Sequence, residues 1–152
     1  MKNTLKLFPH HFKKIGWFIF IPSLIMGILS LTNIFTFPEI SLPVFYNSGF
    51  PLSNEESGLF TKTEIDLFPN LFGILIIIGG ILIGFSKEKI EDEYISGLRL
   101  KSVFWSLTVT YSLILILFLT VFGSAFFTVM ILIIFLPLVL YVFRFNYLLL
   151  NQ

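Results

Sequence analysis

The sequence predicts an all-α fold, a four-transmembrane-helix bundle with a small extracytoplasmic hairpin. Three observations support it: the composition, the long apolar blocks and the positions of the basic residues. Of the 152 residues, 56% are hydrophobic and 12% are charged, whereas a soluble domain has about 25% charged residues. A soluble chain of this size has too little interior to bury so much apolar surface. The composition therefore predicts a protein whose solvent is largely lipid.

Four blocks without Asp, Glu, Lys or Arg mark the predicted spans. They cover residues 17–37, 68–85, 103–122 and 127–142. A bilayer-spanning helix needs about 20 apolar residues, and an apolar run satisfies its backbone in lipid as a helix. The chain is thus predicted to be one integral membrane domain over residues 1–152, with an outer loop at 38–67 and an inner loop at 86–102. We expect the residues after Arg144 to form a frayed end at the membrane interface.

The first block is expected to remain in the mature protein. Its basic start is typical of a signal peptide, but its apolar stretch is longer than that of a usual signal, and residues 36–39 offer no small-residue cleavage site. The last two blocks are separated only by residues 123–126, so their helices are predicted to be adjacent and antiparallel. The chain has no cysteine, which excludes disulfide and thiol chemistry.

The basic residues are distributed asymmetrically about the blocks. In a four-span arrangement nine of the ten fall on one side: Lys2, Lys6, Lys13, Lys14, Lys87, Lys89, Arg99, Lys101 and Arg144. The other side carries Lys62 with Glu39, Glu55, Glu56, Glu64 and Asp66. Since basic residues of short loops stay in the cytoplasm, both termini are predicted to be cytoplasmic in a bacterial plasma membrane. A three-span arrangement does not gather the basic residues as well.

The segment before the first block, residues 1–16, mixes lysines with large apolar side chains. This mixture predicts a segment at the level of the lipid headgroups. The adjacent pair His10 and His11 permits a metal ligand, but no third ligand is near in sequence, and interfacial polar residues are the preferred interpretation. We expect no metal, no cofactor and no direct nucleic-acid partner.

The outer loop is the longest polar segment. Apolar and polar residues alternate over 59–67, which permits a strand paired with Ile40–Tyr46 in a hairpin. Two interpretations stay open for this loop. It is an extracytoplasmic sensor or docking surface, or it is a connection folded on the helix ends, and the connection is preferred.

The inner loop is the most distinctive segment, because adjacent carboxylates precede basic residues. In helical register Ile90, Tyr94 and Leu98 fall on one stripe with Ile95 beside it, which predicts a short amphipathic cytoplasmic helix. A compact negative patch suits the docking of a soluble partner. The candidate partner-binding residues are Glu91, Asp92, Glu93, Tyr94, Arg99 and Lys101. The alternative is a solvated turn whose carboxylates balance the basic residues.

Within the second block, Gly79, Gly80 and Gly84 are candidate helix-packing residues. Small residues at this spacing let two helices approach closely in lipid, where hydrophobic burial does not drive association. Packing within the chain is preferred, and a dimer face is the alternative.

Two function classes are disfavoured by what the sequence lacks. A proton-coupled exporter needs an ionisable group at membrane depth, and the four blocks contain none of Asp, Glu, Lys and Arg. No zinc-protease helix motif, phosphate-binding glycine loop or hydrolase elbow occurs, so no catalytic residue is predicted and the protein is not expected to be an enzyme.

Two stretches carry a resemblance to a known group. The first comprises Leu7, Phe8, Pro9, Phe12, Lys13, Lys14, Ile15, Gly16, Trp17, Ile21 and Pro22. The second comprises Glu91, Asp92, Glu93, Tyr94, Ile95, Leu98, Arg99, Leu100, Lys101 and Ser102. Together they resemble small uncharacterised polytopic membrane proteins of the Bacteroidota, sometimes associated with helix-turn-helix regulators. Small membrane proteins with a similar inner loop resemble regulator-sequestering partners, so the resemblance implies a signalling role by analogy.

The sequence leaves three functions open. The first is a regulatory or accessory membrane protein that binds a cytoplasmic protein partner through its inner loop. The second is a homo-oligomeric channel or pore-forming effector, motivated by the glycines of the second block. The third is a structural subunit of a larger membrane complex, which would explain apolar spans without any site.

Overall fold

The computed structural model describes residues 7–31, 40–46, 58–65, 67–90 and 92–151. Its helices and strands are, in chain order, α1 (His11–Leu31), β1 (Ile40–Tyr46), β2 (Gly58–Ile65), α2 (Phe68–Gly84), α3 (Glu93–Thr120) and α4 (Ser124–Leu150). In this described part, the helices α1, α3 and α4 are long and apolar enough to cross a membrane. The chain therefore has the architecture of a helical membrane protein.

The fourth predicted span depends on α2, which is shorter than the others. Its 17 residues extend about 25 Å at the α-helical rise, whereas the hydrocarbon core of a bilayer is ~30 Å thick. α2 begins with Pro69 in its first turn, a position that proline tolerates because the N–H there has no partner in the helix. A bundle of four full spans stays a prediction.

α1 and α2 pack antiparallel and form the most extensive helix contact among the described residues. The start of α1 meets the end of α2, since a Cβ placed on Gly16 would lie 2.9 Å from Ile83 Cγ1. Toward the other end of α1, a Cβ placed on Gly27 would lie 3.3 Å from Ile76 Cδ1 and 3.9 Å from Phe72 Cβ, in the first half of α2. α2 therefore packs against α1 along most of the length of α2, and α2 ends where α1 begins.

α3 and α4 form a helical hairpin, as predicted for the last two blocks. Gly123 in the connection has a φ of 77°, a left-handed conformation that glycine adopts without steric cost. The rings of Phe118 and Phe126 pack edge to face at this turn, with centroids 5.2 Å apart. The two helices contact each other along the hairpin, so they are adjacent and antiparallel.

The buried core lies toward the end of the bundle where α2 stops and α3 starts. Ile83, Val142 and Phe145 are fully buried there. Three hydroxyl side chains of α3 are also buried: Ser102, Ser106 and Thr110. Each donates a hydrogen bond of 2.8 Å to a carbonyl of α3 itself. These polar groups are therefore satisfied without a partner helix.

α1 begins at His11, so part of the segment predicted to lie at the headgroup level is helical. Two other expectations for the helices are wrong. The inner-loop helix is the first part of α3 and not a separate element. α4 continues to Leu150 with no frayed end, because Phe145 is buried in the core and the following leucines pack against that core. The predicted end of the first span, residues 32–37, lies outside the described residues.

The predicted hairpin in the outer loop is confirmed. β1 and β2 pair antiparallel, with Ile40 opposite Ile65 and Pro43 opposite Lys62. The register is irregular between Val44 and Tyr46. The second strand covers Gly58–Ile65, close to the alternating residues 59–67 that predicted it.

Candidate functional site

The predicted docking residues of the inner loop lie at the start of α3, and two of their carboxylates are described. Asp92 is the N-cap of α3, where its side chain accepts a hydrogen bond of 2.8 Å from the backbone N–H of Ile95. Glu93 follows in the first helical turn, where a negative charge interacts favourably with the helix dipole. Both side chains are exposed. Glu91, the third carboxylate, lies outside the described residues.

The apolar stripe predicted for this segment is wrong. Ile90 and Tyr94 are 77% and 61% exposed, whereas Ile95 and Leu98 are buried. The buried stripe of α3 instead starts at Ile95 and Leu98 and continues along the helix at spacings of three and four residues. Because α3 is one continuous helix, its packing against α4 determines which face of its first turns is buried.

Arg99 points into the bundle and is not part of an exposed docking surface. Its side chain is 6% exposed. Its Nη2 donates a hydrogen bond of 3.1 Å to the carbonyl of Ser86, and its guanidinium lies 5.2 Å from the ring centroid of Phe145. Lys101, the other basic candidate, remains exposed on α3. We define the docking face as the exposed residues Ile90, Asp92, Glu93 and Tyr94. Lys101 lies two turns beyond Tyr94 along the helix and is not part of this face.

A salt bridge joins the first helix to the connection between α2 and α3. Lys13 Nζ donates to Glu88 Oε1, and the two side chains are 13% and 14% exposed. The same ammonium lies 5.7 Å from the ring centroid of Phe145, an arrangement in which the aromatic face attracts a cation. The helix ends at this end of the bundle are therefore brought together by four side chains. We call this end the charged end, and the four residues are Lys13, Glu88, Arg99 and Phe145.

The segment before α1 is hydrogen-bonded to the same connection. The N–H of Phe8 donates to the carbonyl of Phe85 at 2.9 Å, and the N–H of Lys87 donates to the carbonyl of Phe8 at 2.8 Å. His10 Nδ1 donates to the carbonyl of Lys87 at 3.0 Å. His10 is therefore engaged in a structural contact with the chain. Among the described residues, no group of three His, Asp or Glu side chains is placed to hold a metal ion.

The glycines of the second block pack against α1 and α4 of the same chain. A Cβ on Gly79 would lie 2.9 Å from Phe20 Cβ on α1, and one on Gly80 would lie 2.6 Å from Leu138 Cδ2 on α4. Gly84 faces Tyr141, whose hydroxyl donates a hydrogen bond of 2.6 Å to the carbonyl of Gly84. These positions are occupied within the chain, in agreement with the preferred interpretation.

Sequence reasoning missed the charged end as a unit. Lys13, Glu88 and Arg99 are far apart in sequence, and each lies in a locally polar stretch where solvated charge is the ordinary expectation. One signal was available, because Arg99 falls three residues before Ser102 and four after Ile95 on the buried stripe of α3. Continuing that stripe past the end of the apolar block predicts a buried Arg99.

Comparison with known proteins identifies no relative of this chain. The chain matches no protein-family model, and it has no significant match among curated proteins or solved structures. A function for the chain must therefore be argued from its own residues and contacts.

Proposed function

We propose that this chain is a non-enzymatic integral membrane protein of the bacterial plasma membrane, a regulatory or accessory protein that binds a soluble cytoplasmic partner through the docking face. The observation that carries the proposal is the exposure of Ile90 and Tyr94 beside the carboxylates of Asp92 and Glu93. Exposed apolar side chains with polar groups at their edge are typical of recognition surfaces, in which an apolar centre has a polar rim. The partner suited to this face has an apolar groove bordered by Lys or Arg.

The docking face lies at the charged end, which supports a cytoplasmic position. The start of α1, the end of α2, the start of α3 and the last turns of α4 meet there through Lys13, Glu88, Arg99 and Phe145. An arrangement with all these ends on one side is what four spans with both termini in the cytoplasm require. Basic residues cluster at the same end, as they do on the cytoplasmic side of membrane proteins.

The start of α3 is held in place, which favours a docking surface over the alternative of a solvated turn. Asp92 caps α3, and Ile95, Leu98 and Arg99 anchor the first two turns in the core. Tyr94 and Glu93 therefore project from a helix whose position is already determined. Little conformational entropy is lost when a partner binds side chains presented in this way.

Site-specific photocrosslinking in native membranes tests the proposal directly. A photoreactive phenylalanine at Tyr94 should capture a soluble protein, and the adduct should be lost when Asp92→Asn and Glu93→Gln are added. The asparagine preserves the helix cap, so this variant removes charge without unfolding the turn. The same photoreactive residue at Tyr111, which is 64% exposed on the same helix, is the matched control and should capture no soluble protein. Identical adducts at both positions would contradict the proposal.

The channel alternative loses the observation that motivated it, because Gly79, Gly80 and Gly84 contact α1 and α4 of their own chain. The structural-subunit alternative differs from the proposal in the partner's location. It requires companions that stay with the protein in a native gel after soluble proteins are washed away at high salt. Loss of all companions under that wash supports a soluble partner held by charge.

A further inference from the structure

The side chain of Arg144 on α4 has an unusual environment. Its guanidinium lies 4.2 Å from the ring centroid of Trp105 on α3, closer than Lys13 or Arg99 lies to the ring of Phe145. Its Nε is buried and makes no hydrogen bond to any described residue. The residue as a whole is half-buried. The ring thus holds an Arg side chain in place while no carboxylate of the described chain neutralises it.

A second basic residue lies on the same side of α3. Lys101 precedes Trp105 by four residues, which places the two side chains on one face of the helix, one turn apart. Lys101 is exposed, and Trp105 is 37% exposed. Neither belongs to the buried stripe formed by Leu98, Ser102 and Ser106. Two cations therefore flank an indole ring on the outer surface of the α3–α4 hairpin.

We propose that Arg144, Trp105 and Lys101 bind the phosphate of an anionic phospholipid at the membrane boundary, between α3 and α4. A planar guanidinium donates two parallel hydrogen bonds to a phosphate, and stacking on Trp105 orients it for that contact. The indole is an amphipathic ring that favours the headgroup level, and Lys101 extends past it toward the charged end.

The surroundings of the site favour a lipid over a soluble anion or a protein carboxylate. The preceding residues of the same helices, Phe104 and Phe143, are 64% and 52% exposed, so the outer surface of the hairpin next to the site is apolar. An apolar surface next to a cationic pair suits acyl chains that descend from a bound headgroup. The site shares no residue with the docking face, so it stands or falls independently of the proposed partner.

Fluorescence quenching by brominated lipids measures binding at this position. The chain has two tryptophans, and Trp17→Phe leaves Trp105 as the single reporter while it retains the ring that packs against Phe20. The variant is reconstituted into vesicles of phosphatidylcholine and phosphatidylglycerol in which one lipid is brominated on its chains. The ratio of quenching gives the relative binding constant of the two lipids beside Trp105.

We expect phosphatidylglycerol to bind beside Trp105 at least fivefold more tightly than phosphatidylcholine, since each basic residue near the surface contributes about a fivefold preference. Arg144→Gln should lower the preference about fivefold, and Lys101→Gln should lower it by a smaller factor. Lys14→Gln is the matched control, because it removes the same charge from an exposed position of α1 at the same end. It should leave the preference unchanged.

Three results would overturn the inference. The first is equal binding of the two lipids beside Trp105. The second is an unchanged preference in every variant of the site that folds; because Lys101 is exposed, Lys101→Gln is expected to fold and decides the test even if Arg144→Gln does not. The third is loss of the preference in 10 mM inorganic phosphate at constant ionic strength, which would identify a free anion as the ligand.

Discussion

The ammonium of Lys13, in the first turn of α1, lies 5.7 Å from the ring centroid of Phe145, near the end of α4. The first and last helices are thereby joined at the charged end, although they are separated by most of the sequence. Glu88 pairs with the same ammonium, and Arg99 approaches the same ring. One aromatic side chain and two cations therefore hold the helix ends on which the docking face is built.

Lys13→Ala should lower the free energy of unfolding by about 1–3 kcal/mol, since the substitution leaves the half-buried carboxylate of Glu88 without this partner. Lys14→Ala removes an equal charge from the next residue, which is exposed, and should change stability by less than about 0.5 kcal/mol. Unfolding in mixed micelles titrated with denaturing detergent measures both values. Equal losses in the two variants would mean that net charge, and not the pairing with Glu88, is responsible.

Gly79→Ala should destabilise the protein by about 1–3 kcal/mol, because the added methyl group meets the backbone and Cβ of Phe20 and pushes α1 away from α2. Gly97→Ala is the matched control on α3. A Cβ there meets nothing within 4 Å, so the substitution should stabilise the helix by about 0.5–1 kcal/mol. Both unfolding free energies are measured in micelles, together with the molar mass of the complex. A change of oligomeric state without loss of stability in Gly79→Ala would show that the glycine lies at a subunit interface.

Asp92→Ala should cost about 1 kcal/mol, because the N–H of Ile95 loses its capping acceptor. Asp92→Asn keeps a capping oxygen and should cost only a few tenths of a kcal/mol. Hydrogen exchange of the first turn of α3 reports the same difference locally, with faster exchange only in the alanine variant. If both variants exchange like the unmodified protein, the cap does not stabilise the start of the helix.

Reporter fusions test the topology of the chain. Fusions after Ser57 and after Gly123 should register as extracytoplasmic, and fusions after Glu93 and at Gln152 should register as cytoplasmic, because the basic residues oppose transfer across the membrane. The fusions after Ser57 and after Glu93 lie on either side of α2, the short helix, and together they decide whether it crosses. An extracytoplasmic signal from both positions would show that α2 does not cross the membrane.

Much of the helical architecture could be predicted from particular blocks. The uncharged runs located all four helices, and the short connection at Gly123 determined that α3 and α4 form a hairpin. The alternation at 59–67 located β2. The bounds at Arg144 and at the start of α1 could not be predicted, because charged residues ended the apolar blocks while the helices continued through contacts with Phe145 and Glu88.

That the chain is apolar enough for lipid, and where its helices lie, can be read from the sequence, because those properties depend on composition over about 20 consecutive residues. Which face of each helix is buried depends on how the helices pack. Inside the apolar blocks almost every position is apolar, so the periodicity that distinguishes an inner face from an outer face in a soluble helix is absent. The burial of Arg99, the pairing of Lys13 with Glu88 and the stacking of Arg144 on Trp105 follow from how the helices pack, since each depends on residues that only the fold brings together.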